Sequence, residues 1–403
     1  MSVITTAQQH RTRHGLGFWL IAAVFVTAMA FSTVSTPLYP LYEKRDGFGS
    51  FTVTIVFAVY AVGVVTSLLL FGHVSDWVGR RRILLPALSI EIVAAVVFVV
   101  WPDLPGLIMA RFITGFAVGM ITATATAHLS ELHAASRPEQ GTARFELVST
   151  AANIGGLGLG PLVAGILAQW APAPLTTPYL VFAGLLGLGI VAVQLTPETV
   201  VAPTEPVPYR PQRVSLGHGD KRKILAAMAA GFTAFAVFGL FTSLAPTFLS
   251  GTLGHPARVL AGAVVFIVFT VSALAQSFTR GMAPHRQMLT GIVGEAAGLV
   301  VLTVGVESAA LAPFLVGGAL AGAGAGVLFK SAIGTVVAQA PAAQRGEALA
   351  GLFLIAYLGL IGPVLAVGLA TQYISTASAL LWFSAVLLLL LLSLGVLARR
   401  RAA

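Results

Sequence analysis

Cysteine is absent from all 403 residues, which excludes disulfides, zinc-thiolate sites and a cysteine nucleophile. Charge is scarce too. Asp, Glu, Lys and Arg make up 9% of the chain against 57% hydrophobic residues, and the mean hydropathy is +0.92. No charged stretch is long enough to fold as a soluble domain, and the composition is that of a polytopic membrane protein. A glycine-rich phosphate loop with its Lys-Ser/Thr is missing, and no His, Asp and Glu cluster has metal-ligand spacing. Gly322-x-Gly324-x-Gly326 lies inside an apolar run and reads as a packing surface. No enzyme activity, metal or cofactor is therefore expected. The net charge of +9 does not read as a nucleic-acid interface, because the basic residues fall in loops between apolar runs.

At roughly 20 residues per crossing, the chain accommodates about twelve helices. Six apolar runs cover about 18–37, 51–71, 83–101, 107–129, 145–170 and 179–196; six more cover about 224–249, 259–278, 288–306, 313–338, 347–372 and 377–397. Ala28-Met29-Ala30 imitates a signal-peptide cleavage site, but its run continues to Pro37, too long for a cleaved segment. Pro37-Leu38-Tyr39-Pro40 is expected to stop this first helix, with a polar turn from Glu43 to Asp46. Residues 198–221 are proline-rich and lack apolar periodicity, which predicts a flexible linker between bundles at 1–197 and 222–403. Sorting the 23 Lys and Arg residues by this topology leaves three in outer loops (Lys44, Arg45, Arg258) and two within spans (Arg111, Lys330). The positive-inside rule thus places both termini, the tail Arg399-Arg400-Arg401 and the linker in the cytoplasm of a cell (inner) membrane protein.

The halves echo one another. Gly160-Pro161 is matched by Gly362-Pro363, 202 positions later, and Glu91 by Glu295, 204 positions later. A six-helix unit used twice places a binding site at the repeat interface near the bilayer midplane. Four motifs add to this: Gly72-x-x-x-Asp76-x-x-Gly79-Arg80-Arg81-Arg82, Arg111-x-x-x-Gly115-x-x-x-Gly119, Gly156-x-x-x-Gly160-Pro161-x-x-x-Gly165 and Pro37-x-x-Pro40. Together they resemble the major facilitator superfamily, specifically its twelve-helix drug:proton antiporter branch. The resemblance implies an all-α integral membrane fold of two pseudo-symmetric six-helix bundles. It also implies a cavity lined by spans one, four, seven and ten.

The arginine turn of the resemblance implies a conformational latch made by Gly72, Asp76, Gly79 and Arg80, while Arg81 and Arg82 set topology. The matching turn of the second half, Ser277 to Gln287, keeps Arg280 and Arg286 but has no carboxylate, so a second latch is not expected. Arg111 shares one helical face with Thr114, Gly115, Val118, Thr122 and Thr126, and the resemblance implicates it in proton transfer or substrate contact. Lys330 is similar in kind; for both, snorkelling to the nearer interface is the plain alternative. Glu91 and Glu295 sit mid-span, where ionisation is costly, so each is expected to be protonated or paired with a buried cation. Coupling and structural hydrogen bonding both remain open for them, and the first span holds no acidic residue. Gly156, Gly160, Pro161 and Gly165, with Gly362 and Pro363, read as a helix-packing pivot. His128 and His133, near the inner end of the fourth span, are candidate proton shuttles, with plain solvation at the interface as the alternative.

Phe25, Phe31, Phe232, Phe235, Phe238 and Phe241 would give such a cavity an apolar wall. The expectation is a monomeric secondary transporter exporting small amphiphilic molecules or drugs in exchange for protons, by alternating access in the lipid bilayer. A proton-coupled uptake symporter for a sugar or organic acid is the alternative, as is a non-transporting receptor or assembly factor on the same scaffold.

Overall fold

Without water to bond an exposed backbone, a chain inside a bilayer closes its hydrogen bonds within helices. The computed structural model, which describes residues 6–201, 205, 208–215 and 219–399, is all-helical among those residues. Twelve of the helices are long and apolar enough to cross a membrane. The first six are α1 (Thr6–Ser32), α2 (Ser50–Phe71), α3 (Arg80–Val100), α4 (Leu104–Ser136), α5 (Ala143–Trp170) and α6 (Thr177–Leu195). The last six are α7 (Lys221–Ser243), α8 (Arg258–Phe278), α9 (Pro284–Glu307), α10 (Leu311–Gln339), α11 (Arg345–Ala370) and α12 (Thr376–Arg399). Arg400 and Arg401 of the expected tail lie outside the described residues, as do linker positions 202–204, 206–207 and 216–218.

The prolines after α1 do not stop the helical path. Pro37 and Pro40 each occupy one of the first two positions of a short helical segment, Thr36–Leu38 and Tyr39–Asp46. A proline there gives up only an N–H that has no acceptor anyway. The expected polar turn at Glu43 to Asp46 is accordingly helical, ending at Gly47 with a left-handed φ of 72°.

Small residues set the spacing of the bundle. Gly63 of α2 lies on the backbone of Phe112 and Phe116 in α4, and Gly115 of α4 lies on that of Tyr60 in α2. Apolar helices gain nothing by hiding from lipid tails, so close van der Waals approach is what holds them together. The glycine run of α10 divides its work: Gly322 and Gly326 face Val268 and Ser272 of α8, and Gly324 faces the Glu295 backbone of α9.

The first six helices meet the last six mainly through α5 on α8 and α2 on α11. Gly158 rests on Phe266 and Phe269, Gly262 on Pro161, Gly165 on Arg258, and Gly368 on Thr54. The last two contacts lie toward the end opposite the arginine turn, here called the far end. There the Glu43 carboxylate also accepts a hydrogen bond from the Thr247 hydroxyl at 2.9 Å. Near the arginine turn, the linker itself bridges the two sets. Gln212 N–H donates to the Leu69 carbonyl at 2.7 Å, and Ser215 N–H to the Glu347 carbonyl at 3.1 Å.

Candidate functional site

The arginine turn is built around one side chain. Gly79 has a φ of 116°, open to glycine and rarely to other residues, and it swings the chain from the Ser75–Val78 helical turn into α3. Arg80, the first residue of α3, folds back at once. Its Nη1 donates to Asp76 Oδ1 at 2.5 Å and to Ser75 Oγ at 2.7 Å. Its Nη2 and Nε donate to the two oxygens of Glu131 in α4, at 2.6 and 3.2 Å. The Thr199 hydroxyl completes Glu131 at 2.5 Å. Glu198 caps the start of α3, accepting from Arg80 N–H and Arg81 N–H at 3.0 Å each, where the helix dipole favours an anion. Burial works against this carboxylate, but the N–H groups of Arg81, Val200, Arg80 and Thr199 outweigh it and hold it below the usual carboxylate range. Arg80 is buried, whereas the Asp76 side chain is 60% exposed. Asp76 therefore meets Arg80 of its own half, and Arg81 joins the same half through the Gln194 carbonyl at 2.8 Å.

In the second half the corresponding turn behaves differently. Arg280 donates across to the Ala143 carbonyl at the start of α5, at 3.2 Å. Lys330 donates to the Gln276 carbonyl at the end of α8, at 2.6 Å.

Arg111 lies about two turns inside α4 and is 2% exposed, so it does not snorkel. Its Nη1 donates to the Ser32 carbonyl at 2.6 Å, an acceptor freed by the end of α1. The guanidinium stands 4.3 Å from the Tyr60 ring centroid and 5.9 Å from that of Phe57, a cation–π seat suited to a dry site. Its Nε has no hydrogen-bond partner among the described residues. Thr114, Gly115 and Val118 of the same face are buried, and the half-exposed members are Thr122 and Thr126. Thr122 donates to the Val118 carbonyl at 2.8 Å.

Across from Tyr60, within electrostatic reach, is Tyr357 of α11. Tyr357 heads a cluster of rings: Phe235 at 5.5 Å, then Phe329 at 4.7 Å and Phe238 at 6.0 Å from Phe235. The expected phenylalanine wall is corrected in part. Phe25, Phe31, Phe238 and Phe241 are buried packing residues, Phe31 against Phe98 and Phe182, Phe238 against Phe269 and Phe241 against Phe314. Phe232 and Phe235 keep partial exposure.

Glu91 and Glu295 are fully buried, and neither carboxylate has a hydrogen-bond partner among the described residues. No described cation forms an ion pair with either. Glu295 lies at the glycine contact between α9 and α10, with Thr233 of α7 beside it. His128 is fully buried and bonded to the Pro197 carbonyl at 3.0 Å, and His133 to the Gly141 carbonyl at 3.2 Å.

In α5, Gly156 and Gly160 rest on α1 while Gly165 rests on α8. Pro161 has no N–H for the Leu157 carbonyl, and the Thr33 hydroxyl supplies the missing donor at 2.9 Å. A π-helical turn, Ala151–Gly155, precedes this segment. The Gly362 expectation is corrected: this glycine is exposed and nothing lies within 4 Å of where a Cβ would stand. Contact with the other half passes to Gly368, one and a half turns further on. The sequence reading missed Tyr60, Tyr357, Glu131 and Glu198, all joined to their partners only by tertiary contact. Glu43 and Thr247 did leave a signal, being 204 positions apart, the same offset as Glu91 and Glu295.

A bundle of twelve membrane-crossing helices, with cations and carboxylates sunk among them and glycine contacts joining its halves, defines a multi-pass membrane carrier. The Major Facilitator Superfamily model matches residues 20–287, and the chain belongs to that family. Among solved structures, the human organic anion transporter MFSD10 (TETRAN) is similar in fold, with a TM-score of 0.69 at 16% identity over 94% of this chain and 99% of that one. The POT family transporter PepTSo gives 0.71 at 14% identity, over 95% and 98%. A curated relative, the bacillibactin exporter of Bacillus subtilis (strain 168), is 29% identical over 139 residues. That match covers 33% of this chain and 34% of the relative, and the matches to the Rickettsia transporters cover 25% of each.

Proposed function

We propose that this carrier exports small amphiphilic molecules in exchange for protons, by alternating access. The reading rests most on α5, whose glycines seat it on α1 and α8 at once. A smooth, tightly packed surface of this kind lets two bodies pivot while excluding water, and a carrier run on protons must not leak them. The bodies are residues 1–197 and 222–403, joined by the 198–221 linker, with both termini in the cytoplasm of the inner membrane. The turn of Gly72, Asp76, Gly79 and Arg80, expected from the sequence to latch the two bodies, ties α3 to α4 within the first body at the cytoplasmic end.

Arg111, held dry against Tyr60, and the buried Glu91 and Glu295 are the groups assigned to proton coupling, with Thr122 and Lys330 facing the substrate path. The ring cluster around Phe235 and Tyr357 suits an apolar body, and the exporter named among the relatives agrees in direction. Proteoliposomes loaded with a pH-sensitive dye test this, using hits from a thermal-shift screen as substrates. Substrate flux driven by an opposing proton gradient is the expected result. Symport would instead establish the uptake reading, and binding without proton movement a receptor.

A further inference from the structure

At the end of the bundle that holds the arginine turn, α1, the end of α4 and the start of α5 enclose a recess of about 440 Å³. Arg11, Arg137, Arg144 and His133 line it together with Phe18 and Trp19, and no carboxylate is among its lining residues. The three ion pairs among the described residues involve none of these arginines. Arg137 bonds the Gln140 side chain at 3.0 Å, and Arg144 stands 5.1 Å from the Trp19 ring centroid and 5.9 Å from that of Phe18. Glu146, two residues after Arg144, turns instead to the Thr142 hydroxyl at 2.6 Å. Three guanidinium groups thus share one concave site, with no ion-pair partner among the described residues.

We infer that this recess binds the phosphate headgroup of an anionic glycerophospholipid. Guanidinium groups pair with phosphate oxygens through two parallel hydrogen bonds, and basic pockets where helices leave the bilayer are a recurring headgroup site. The apolar rim decides between a lipid and a free phosphate. Leu16 is 63% exposed and Trp19 51% exposed beside the cations. A soluble ion has no use for that surface, whereas acyl chains cover it and Trp prefers the headgroup level. The inference needs only the membrane location, not the export reading.

The test is native mass spectrometry of the purified full chain in detergent, titrated with phosphatidylglycerol or phosphatidylcholine. Phosphatidylglycerol is expected to bind the wild type at least tenfold more tightly. Arg137→Gln and Arg144→Gln are each expected to weaken it about fivefold, and Arg144→Lys to weaken it less, with phosphatidylcholine unchanged. Arg286, exposed in the second-half turn, serves as the control, and Arg286→Gln is expected to leave both lipids unaffected. An equal loss in Arg286→Gln would reduce the effect to diffuse charge and overturn the site. So would absence of a headgroup preference. Displacement of the lipid by millimolar inorganic phosphate would assign the recess to a soluble anion and overturn the lipid assignment.

Discussion

Replacing Glu131 by Gln removes the partner that meets Arg80 through two nitrogens, at 2.6 and 3.2 Å. The side chains are 7% and 34% exposed respectively. Breaking a fully buried pair costs about 3–5 kcal/mol and an exposed one about 0–1 kcal/mol. Since Glu131 is a third exposed, solvent screens part of the interaction, and about 2 kcal/mol is expected for Glu131→Gln. Arg80→Gln should cost more, about 3 kcal/mol, because it also strips Ser75 and Asp76 of their donor. The double variant should fall well short of the sum, giving a coupling of about 2 kcal/mol. Asp76→Asn should cost under about 1 kcal/mol, its side chain being 60% exposed. Reversible unfolding in mixed micelles, followed by tryptophan fluorescence, measures all four variants. A coupling below about 0.5 kcal/mol would refute the view that Arg80 and Glu131 hold α3 to α4.

Thr33→Val keeps the shape of the side chain but leaves the Leu157 carbonyl, freed by Pro161, without its donor. The expected loss is about 1 kcal/mol, measured by the same unfolding assay and absent in a Thr33→Ser variant. Glu198 is held below its ordinary value of 4.5 in the folded protein. Its contribution is therefore complete above the unfolded value and is lost as pH falls through the lower folded one. Stability measured from about pH 6 to about pH 3 should decline less steeply in Glu198→Gln than in the wild type.

The membrane spans were legible because a bilayer demands continuous apolar helices, and that demand is written locally in the chain. The packing role of Gly322, Gly324 and Gly326 was legible for the same reason, since a glycine run inside an apolar helix has few other uses. Pro37 and Pro40 misled because a proline that stops one helix and a proline that starts the next look alike in sequence; only the acceptor status of the neighbouring carbonyls separates them. Gly362 misled because the repeat keeps its residues but rotates this one away from the other half. Nothing local announced Tyr60 as the seat of Arg111, or Glu131 and Glu198 as the ties on Arg80. Those pairs are 51 and more positions apart and are created by packing.

The two basic turns carry different loads, and the two ends of the bundle are joined by different kinds of contact. Every charged bond of the first turn ends inside residues 1–197 or on Glu198 and Thr199, so it stiffens one half without gripping the other. At the arginine end the hydrogen bonds that run between the halves or tie the linker to them end on backbone carbonyls: Arg280 to Ala143, Tyr209 to Leu70, Gln212 to Leu69 and Ser215 to Glu347. Arg280 is exposed and Gln212 and Ser215 are half-buried, and water can replace such bonds at a cost of about 1 kcal/mol each. Toward the far end the join is Gly165 on Arg258 and Gly368 on Thr54, with Glu43 on Thr247. Separating glycine from its neighbour gives up close contact that lipid or water cannot fully restore. The two ends of the bundle are thus joined differently, by glycine contacts at the far end and by exchangeable hydrogen bonds at the arginine end.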